Sequence, residues 1–163
     1  MSILSTKQLR HEFCMEELRN IGAEVINMEG IMFYVKYNKN NLNIEYMYHL
    51  MPDNTYLLER IKPYSLYLGE FLKEEDLIQI LKIDIEQFIN AKNSSNFDDF
   101  VKIDKGLTKI AINFDDLFLY YNISKEDLKL LDEETIKLKK VILDIKERSK
   151  RVYHKKDPDS FKE

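Results

Sequence analysis

The sequence predicts an α+β fold: an N-terminal helix, a four- to five-stranded antiparallel sheet, a covering helix, then a helical C-terminal part with one long terminal helix. Three observations predict it. Leu128, Leu131, Thr135, Leu138, Ile142 and Ile145 recur at alternating steps of three and four, which stacks them on one side of a helix. Between residues 31 and 61, apolar and polar residues alternate in short runs separated by Asn- and Pro-containing turns, the period of antiparallel strands. Ser5-Thr6-Lys7-Gln8 and Ser124-Lys125-Glu126-Asp127 each place a hydroxyl where the first turn of a helix leaves amides unpaired.

Each element follows from its own pattern. Leu9, Phe13, Cys14, Leu18 and Ile21 keep helical spacing up to Gly22, so the first helix spans about Thr6 to Ile21. Ala23 to Glu29 reads as a strand and Gly30 as a turn. Ile31, Phe33, Val35 and Tyr37 then alternate with Met32, Tyr34 and Lys36. Asn38-Lys39-Asn40-Asn41 is a turn, because Asn tolerates the left-handed conformation. Ile44, Tyr46, Tyr48 and Leu50 form the next apolar row, and Leu57, Glu59 and Ile61 alternate with Tyr56, Leu58 and Arg60 after the Pro52-Asp53-Asn54 turn. Leu66, Leu68 and Glu70 add a short last strand. Leu77, Ile80, Leu81, Asp84, Ile85, Phe88 and Ile89 give the covering helix, started by Glu74-Glu75-Asp76 where the helix dipole favours negative charge. Asp84 stands out inside that apolar stripe, as a hydrogen-bond acceptor, a rim residue or a partner contact.

The polar stretch Lys92-Asn93-Ser94-Ser95-Asn96 is the one candidate boundary. It divides a sheet domain, residues 1–92, from a helical part, residues 95–163. There, Phe97 to Asp104 reads as a short helix capped by Ser95 and stopped at Lys105-Gly106. Residues 107–122 follow as helix, although 107–114 also alternates like a strand. The long helix runs from Ser124 to about Val152.

Composition excludes several classes. At 44% hydrophobic and 33% charged residues the chain has a globular rather than a disordered balance. No apolar run approaches the roughly 20 residues that span a bilayer, and the N-terminus lacks the pattern of a secretory signal, so no membrane partner is expected. The single cysteine, Cys14, fits a reduced, cytoplasmic setting and reads as a buried thiol beside Phe13. The Ile, Lys and Asn bias suits an AT-rich bacterial or phage genome. There is no phosphate-binding glycine loop or nucleophile elbow, and the three histidines lie far apart, so no metal and no cofactor are expected.

Two features point to binding. Tyr34, Tyr56 and Tyr67 share the sheet phase of Met47, His49 and Arg60, and an amphipathic Tyr/Met face suits contact with another protein. The seam of the long helix, through Leu131, Leu138 and Ile142, suits the same use or a homodimer. Charge adds an alternative. From Thr135 to Lys156 there are 9 Lys/Arg against 2 Asp/Glu, while Met1 to Glu134 carries 15 against 24. Lys139, Lys140, Lys146, Arg148, Lys150, Arg151, Lys155 and Lys156 are thus candidates for binding a polyanion such as nucleic acid. The favoured expectation is a small intracellular protein–protein interaction protein, an adaptor, inhibitor or chaperone-like factor, and the alternative is a nucleic-acid-binding accessory protein. An enzyme is the third reading. It needs Glu45, His49 and Glu59 in one cleft, and Glu45 and His49 stand about 13 Å apart along a strand.

Overall fold

The computed structural model describes residues 3–24 and 30–162. The element order is that of an α+β chain: α1 (Ile3–Asn20), β1 (Met32–Lys39), β2 (Leu42–Leu50), β3 (Tyr56–Lys62), β4 (Leu66–Phe71), α2 (Glu74–Lys92), α3 (Phe97–Tyr120) and α4 (Lys125–Arg148), then a short 3-10 turn at Asp159–Phe161. The four strands form one antiparallel meander in the order β1-β2-β3-β4. Of the expected strand over 23–29, Ala23 and Glu24 are irregular and 25–29 lie outside the described residues.

Turn chemistry fixes the meander. Lys39 pairs with Leu42, leaving Asn40 and Asn41 as a two-residue loop with φ of 52° and 58°, the conformation that matches strand twist. Between β2 and β3, Asp53 Oδ1 accepts from the Thr55 amide (3.1 Å) and hydroxyl (2.6 Å), and Asn54 takes φ of 68°. α1 closes on Gly22 at φ +92°, with the Ala23 amide returned to the Leu18 carbonyl at 3.1 Å.

The core lies between one sheet face and α2. Leu42, Ile44, Tyr46, Tyr56 and Leu58 from the sheet meet Leu77, Leu81 and Phe88, which α2 presents one above another. The charged residue in that stripe, Asp84, is a hydrogen-bond acceptor at the centre of the core. Arg60 Nη1 donates to Asp84 Oδ1 at 2.8 Å and Oδ2 at 3.0 Å, and the Tyr46 hydroxyl donates to Oδ2 at 2.7 Å. The guanidinium lies against the rings of Tyr64 and Phe88, 4.4 and 4.6 Å from their centroids. Burial beside Asp84 pushes the Tyr46 phenol far above its ordinary pKa, and burial raises that of Tyr64 to about 12.

This arrangement corrects the face assigned to Tyr56 and Arg60. Both point into the core, because β3 pairs Leu50 with Tyr56, Tyr48 with Leu58 and Tyr46 with Arg60. Glu45 then pairs with Lys62, so Ile61 is an extra residue. That bulge sends Arg60 and Lys62 to opposite faces. Tyr56 is 5% exposed and donates to Glu74 Oε1 at 2.6 Å, tying β3 to the first turn of α2.

The helices also depart from expectation in three places. α3 is one continuous helix that runs through Gly106, and its N-cap is Asn96 rather than Ser95. α4 ends at Arg148, with Ser149 extended, so Lys150, Arg151, Lys155 and Lys156 belong to an irregular tail. The apolar side of α1 is open: Leu9, Phe13, Leu18 and Ile21 are exposed, and so is Cys14.

Candidate functional site

α3 and α4 form a two-helix arm tied to the body at both ends. At its start, Phe97 is buried against Phe88 with ring centroids 6.3 Å apart, and Phe100 meets Tyr64 at 5.7 Å. Each helix has 24 residues, about 36 Å at 1.5 Å per residue. The turn into α4 is set by Ser124, whose Oγ accepts from the Asp127 amide at 3.0 Å and donates to its carboxylate at 2.7 Å. After α4 the tail returns to α2. The Tyr153 hydroxyl donates to Glu86 Oε2 at 3.1 Å, and the Lys155 ammonium bonds the same carboxylate. These donors hold Glu86 below the usual carboxylate range.

Between its two ends the arm buries almost nothing. Among the described residues, α3 buries Phe97 alone and α4 buries none. Yet both carry a continuous seam. On α3 it runs through Phe100, Ile103, Leu107, Ile110, Phe114 and Leu117, again at alternating steps of three and four. On α4 it includes the candidate residues Leu131, Leu138 and Ile142, which are 37%, 45% and 42% exposed. Such spacing is the pattern of helices that bury one stripe against other helices. Both seams therefore leave large apolar side chains in contact with water.

The outer sheet face is the second candidate surface. Register places Met32 opposite His49, Tyr34 opposite Met47, and Tyr67 opposite Glu59. Tyr34 and Tyr67 are exposed, while Met47 and His49 are half-buried. The face is organised around Glu45, itself only 5% exposed. Its carboxylate accepts from the Tyr34 hydroxyl, from Lys62 Nζ at 3.1 Å and from Asn43 Nδ2 at 3.3 Å. The Tyr34 and Lys62 bonds pull its pKa down to about 2.

Glu59 faces Met47, between Glu45 and His49 along the strand. The register therefore spreads these three residues along β2 and β3, and Glu45 is engaged by three donors. Among the described residues no group of three or more His, Cys, Asp or Glu could hold a metal ion. No described helix is long and apolar enough to cross a membrane.

The basic candidates divide into two sets. Lys139, Lys140, Lys146 and Arg148 lie on α4. In the tail, Arg151 bonds the Tyr153 and Lys156 carbonyls at 2.7 and 2.9 Å and the Asp157 carboxylate at 2.8 Å. Lys155 holds Glu86, and Lys156 holds Asp159 at 3.1 Å. A polyanion at the tail has to compete with these carboxylates. A cleft of about 590 Å³ between Gln87, Lys146, Tyr153 and Phe161 was not foreseen, because it forms only when the tail folds back.

Compared with known proteins, the chain matches no family model, no curated protein and no solved structure.

Proposed function

We propose that this chain is a protein-binding module in which the sheet and α2 anchor a two-helix arm, and the apolar seam of that arm is the surface a partner covers. The observation that carries this reading is the contrast between pattern and burial. α3 from Phe100 to Leu117 and α4 from Leu128 to Ile145 each keep a three-four spacing over about 26 Å, apolar at every position but Thr135, and among the described residues only Phe97 of the two helices is buried. A seam of this kind left in water loses about 25 cal/mol for every Å² of apolar surface that could be covered. The outer sheet face, with Tyr34 and Tyr67 exposed, is partly committed to holding Glu45.

The test is affinity capture with three baits. One is the native chain, one carries Leu131→Ser, Leu138→Ser and Ile142→Ser, and one carries Tyr34→Ser and Tyr67→Ser. Far-ultraviolet circular dichroism and near-ultraviolet signals from the core tyrosines check that the body is folded in each. The expected result is a bound protein shared by the native and sheet-face baits and lost from the seam bait. Retention on the seam bait with loss from the sheet-face bait overturns the assignment to the arm.

A further inference from the structure

We infer that the partner of the α4 seam is a second copy of this chain, joined antiparallel about a two-fold axis at the midpoint of the helix. The inference rests on the reading of the arm as a binding surface. α4 spans Lys125–Arg148, so its midpoint falls between Ile136 and Lys137. Its seam is centred on the same point. Leu128 and Ile145, Leu131 and Ile142, and Thr135 and Leu138 are pairs equidistant from it. Two antiparallel copies in full overlap therefore stack Leu128 on Ile145, Leu131 on Ile142 and Thr135 on Leu138. Every one of the six seam positions is used in both chains. Thr135 is the polar member, and its hydroxyl already donates to the Leu131 carbonyl at 2.9 Å, so covering it orphans no donor.

Charge selects the same arrangement. Residues 125–134 carry five acidic and two basic side chains, and residues 135–148 carry five basic and two acidic. Antiparallel overlap lays the acidic half of each helix on the basic half of the other. Along the flanks of the seam it places Asp132 beside Lys139 and Asp127 beside Arg148 of the second copy, each twice by symmetry. One like-charged pair, Lys125 with Lys146, falls at the helix ends, where Lys146 already bonds Glu147 at 3.1 Å. A parallel pair in register would instead bring Asp127 against Asp132 and lay like half on like half. Surface area agrees. The chain exposes 13618 Å², whereas a compact monomer of 19.6 kDa exposes about 8,600 Å². That excess, which α1 and α3 share with α4, leaves room for an interface of the roughly 1,200–2,000 Å² that stable pairs bury.

Two single-cysteine chains test this in a Cys14→Ser background, one with Leu131→Cys and one with Ile142→Cys, distinguished by tags of different mass. They are mixed, oxidised mildly and separated without reductant. The expected product is a disulfide-linked pair holding one chain of each kind, formed in the mixture and by neither variant alone. Two copies of Leu131→Cys in this register sit 11 residues apart along the axis, about 16 Å, beyond disulfide reach. Self-linked pairs from either single variant overturn the antiparallel register. Light scattering of the Cys14→Ser parent should give twice 19.6 kDa. A mass of 19.6 kDa overturns self-association, as it would if α3 of the same chain closes on the seam. If seam-dependent capture persists at that mass, the binding reading stands without this inference; if both fail, both fall.

Discussion

Removing the carboxylate of Asp84 should be the most damaging single polar change in the body. The Arg60 side chain is 3% exposed, and Asp84 supplies the only carboxylate it bonds among the described residues. Asp84→Ala leaves that guanidinium charged and buried between the rings of Tyr64 and Phe88, and leaves the Tyr46 hydroxyl without its acceptor. Breaking a buried pair from one side costs about 3–5 kcal/mol. A domain of this size has about 5–15 kcal/mol in total, so the loss is a large share of it. With a urea slope of about 2 kcal/mol/M, the midpoint should fall by about 1.5–2.5 M. Replacing the whole network tells a different story. Arg60→Met with Asp84→Leu and Tyr46→Phe removes every charge and hydroxyl together, and methionine can occupy the slot beside the two rings. That triple variant should be as stable as the native chain or more stable by up to about 4 kcal/mol. Urea denaturation followed by tyrosine fluorescence measures all three proteins. A cost below about 1 kcal/mol for Asp84→Ala would refute the reasoning, since it would mean that the guanidinium reaches water when its partner is gone.

Other outcomes follow from single sites. Gly106 lies mid-helix with nothing within 4 Å of where a Cβ would stand, so Gly106→Ala should stabilise α3 by about 0.5–1 kcal/mol in thermal unfolding; a loss would show that the position needs glycine for approach by another chain. Glu45 has a folded pKa of about 2 against an ordinary 4.5, so its contribution is present above the unfolded value and disappears as pH falls from about 4.5 through 2. Stability measured against pH should show that decline in the native chain and a shallower one in Glu45→Gln; equal slopes would contradict it. Asp132→Lys should weaken self-association by setting lysine against Lys139 of the second copy, and adding Lys139→Asp to the same chain should restore it in sedimentation experiments. Stronger association by Asp132→Lys alone would instead favour the parallel pair, in which the new lysine meets Asp127.

Much of the fold was readable because period and turn chemistry are local. The paired asparagines at 40 and 41, the three-four spacing of Leu77, Leu81, Asp84 and Phe88, and the Ser124 cap each specify their element from a few neighbouring residues. What escaped was set by distant partners. β3 carries two apolar residues and one charge on each phase, Leu57, Glu59 and Ile61 on one and Tyr56, Leu58 and Arg60 on the other, so local pattern could not choose the buried face, which is set by Asp84 waiting for Arg60 in the core. The bulge at Ile61 then reversed the phase within one strand. Gly106 and Lys105 read as a stop, yet the apolar seam on either side carries α3 straight through. The basic tail read as helix because charge density says nothing of the carboxylates of Glu86, Asp157 and Asp159 that fold it back. The α4 seam was legible as a surface to be covered, but the same spacing serves a helix of the same chain, of another protein or of a second copy. What the sequence does not carry is that α4 buries none of its residues among those described, the observation from which the proposal of a partner is argued.

Backbone hydrogen exchange along α4, compared between the native chain and Leu138→Asp, tests the covered seam most directly. The account predicts amides from Leu131 to Ile145 protected in the native chain and exchanging quickly in the variant, with β2 and β3 amides slow in both. Equally fast exchange along α4 in both proteins would contradict it, because the seam would then lie open to water in the native chain.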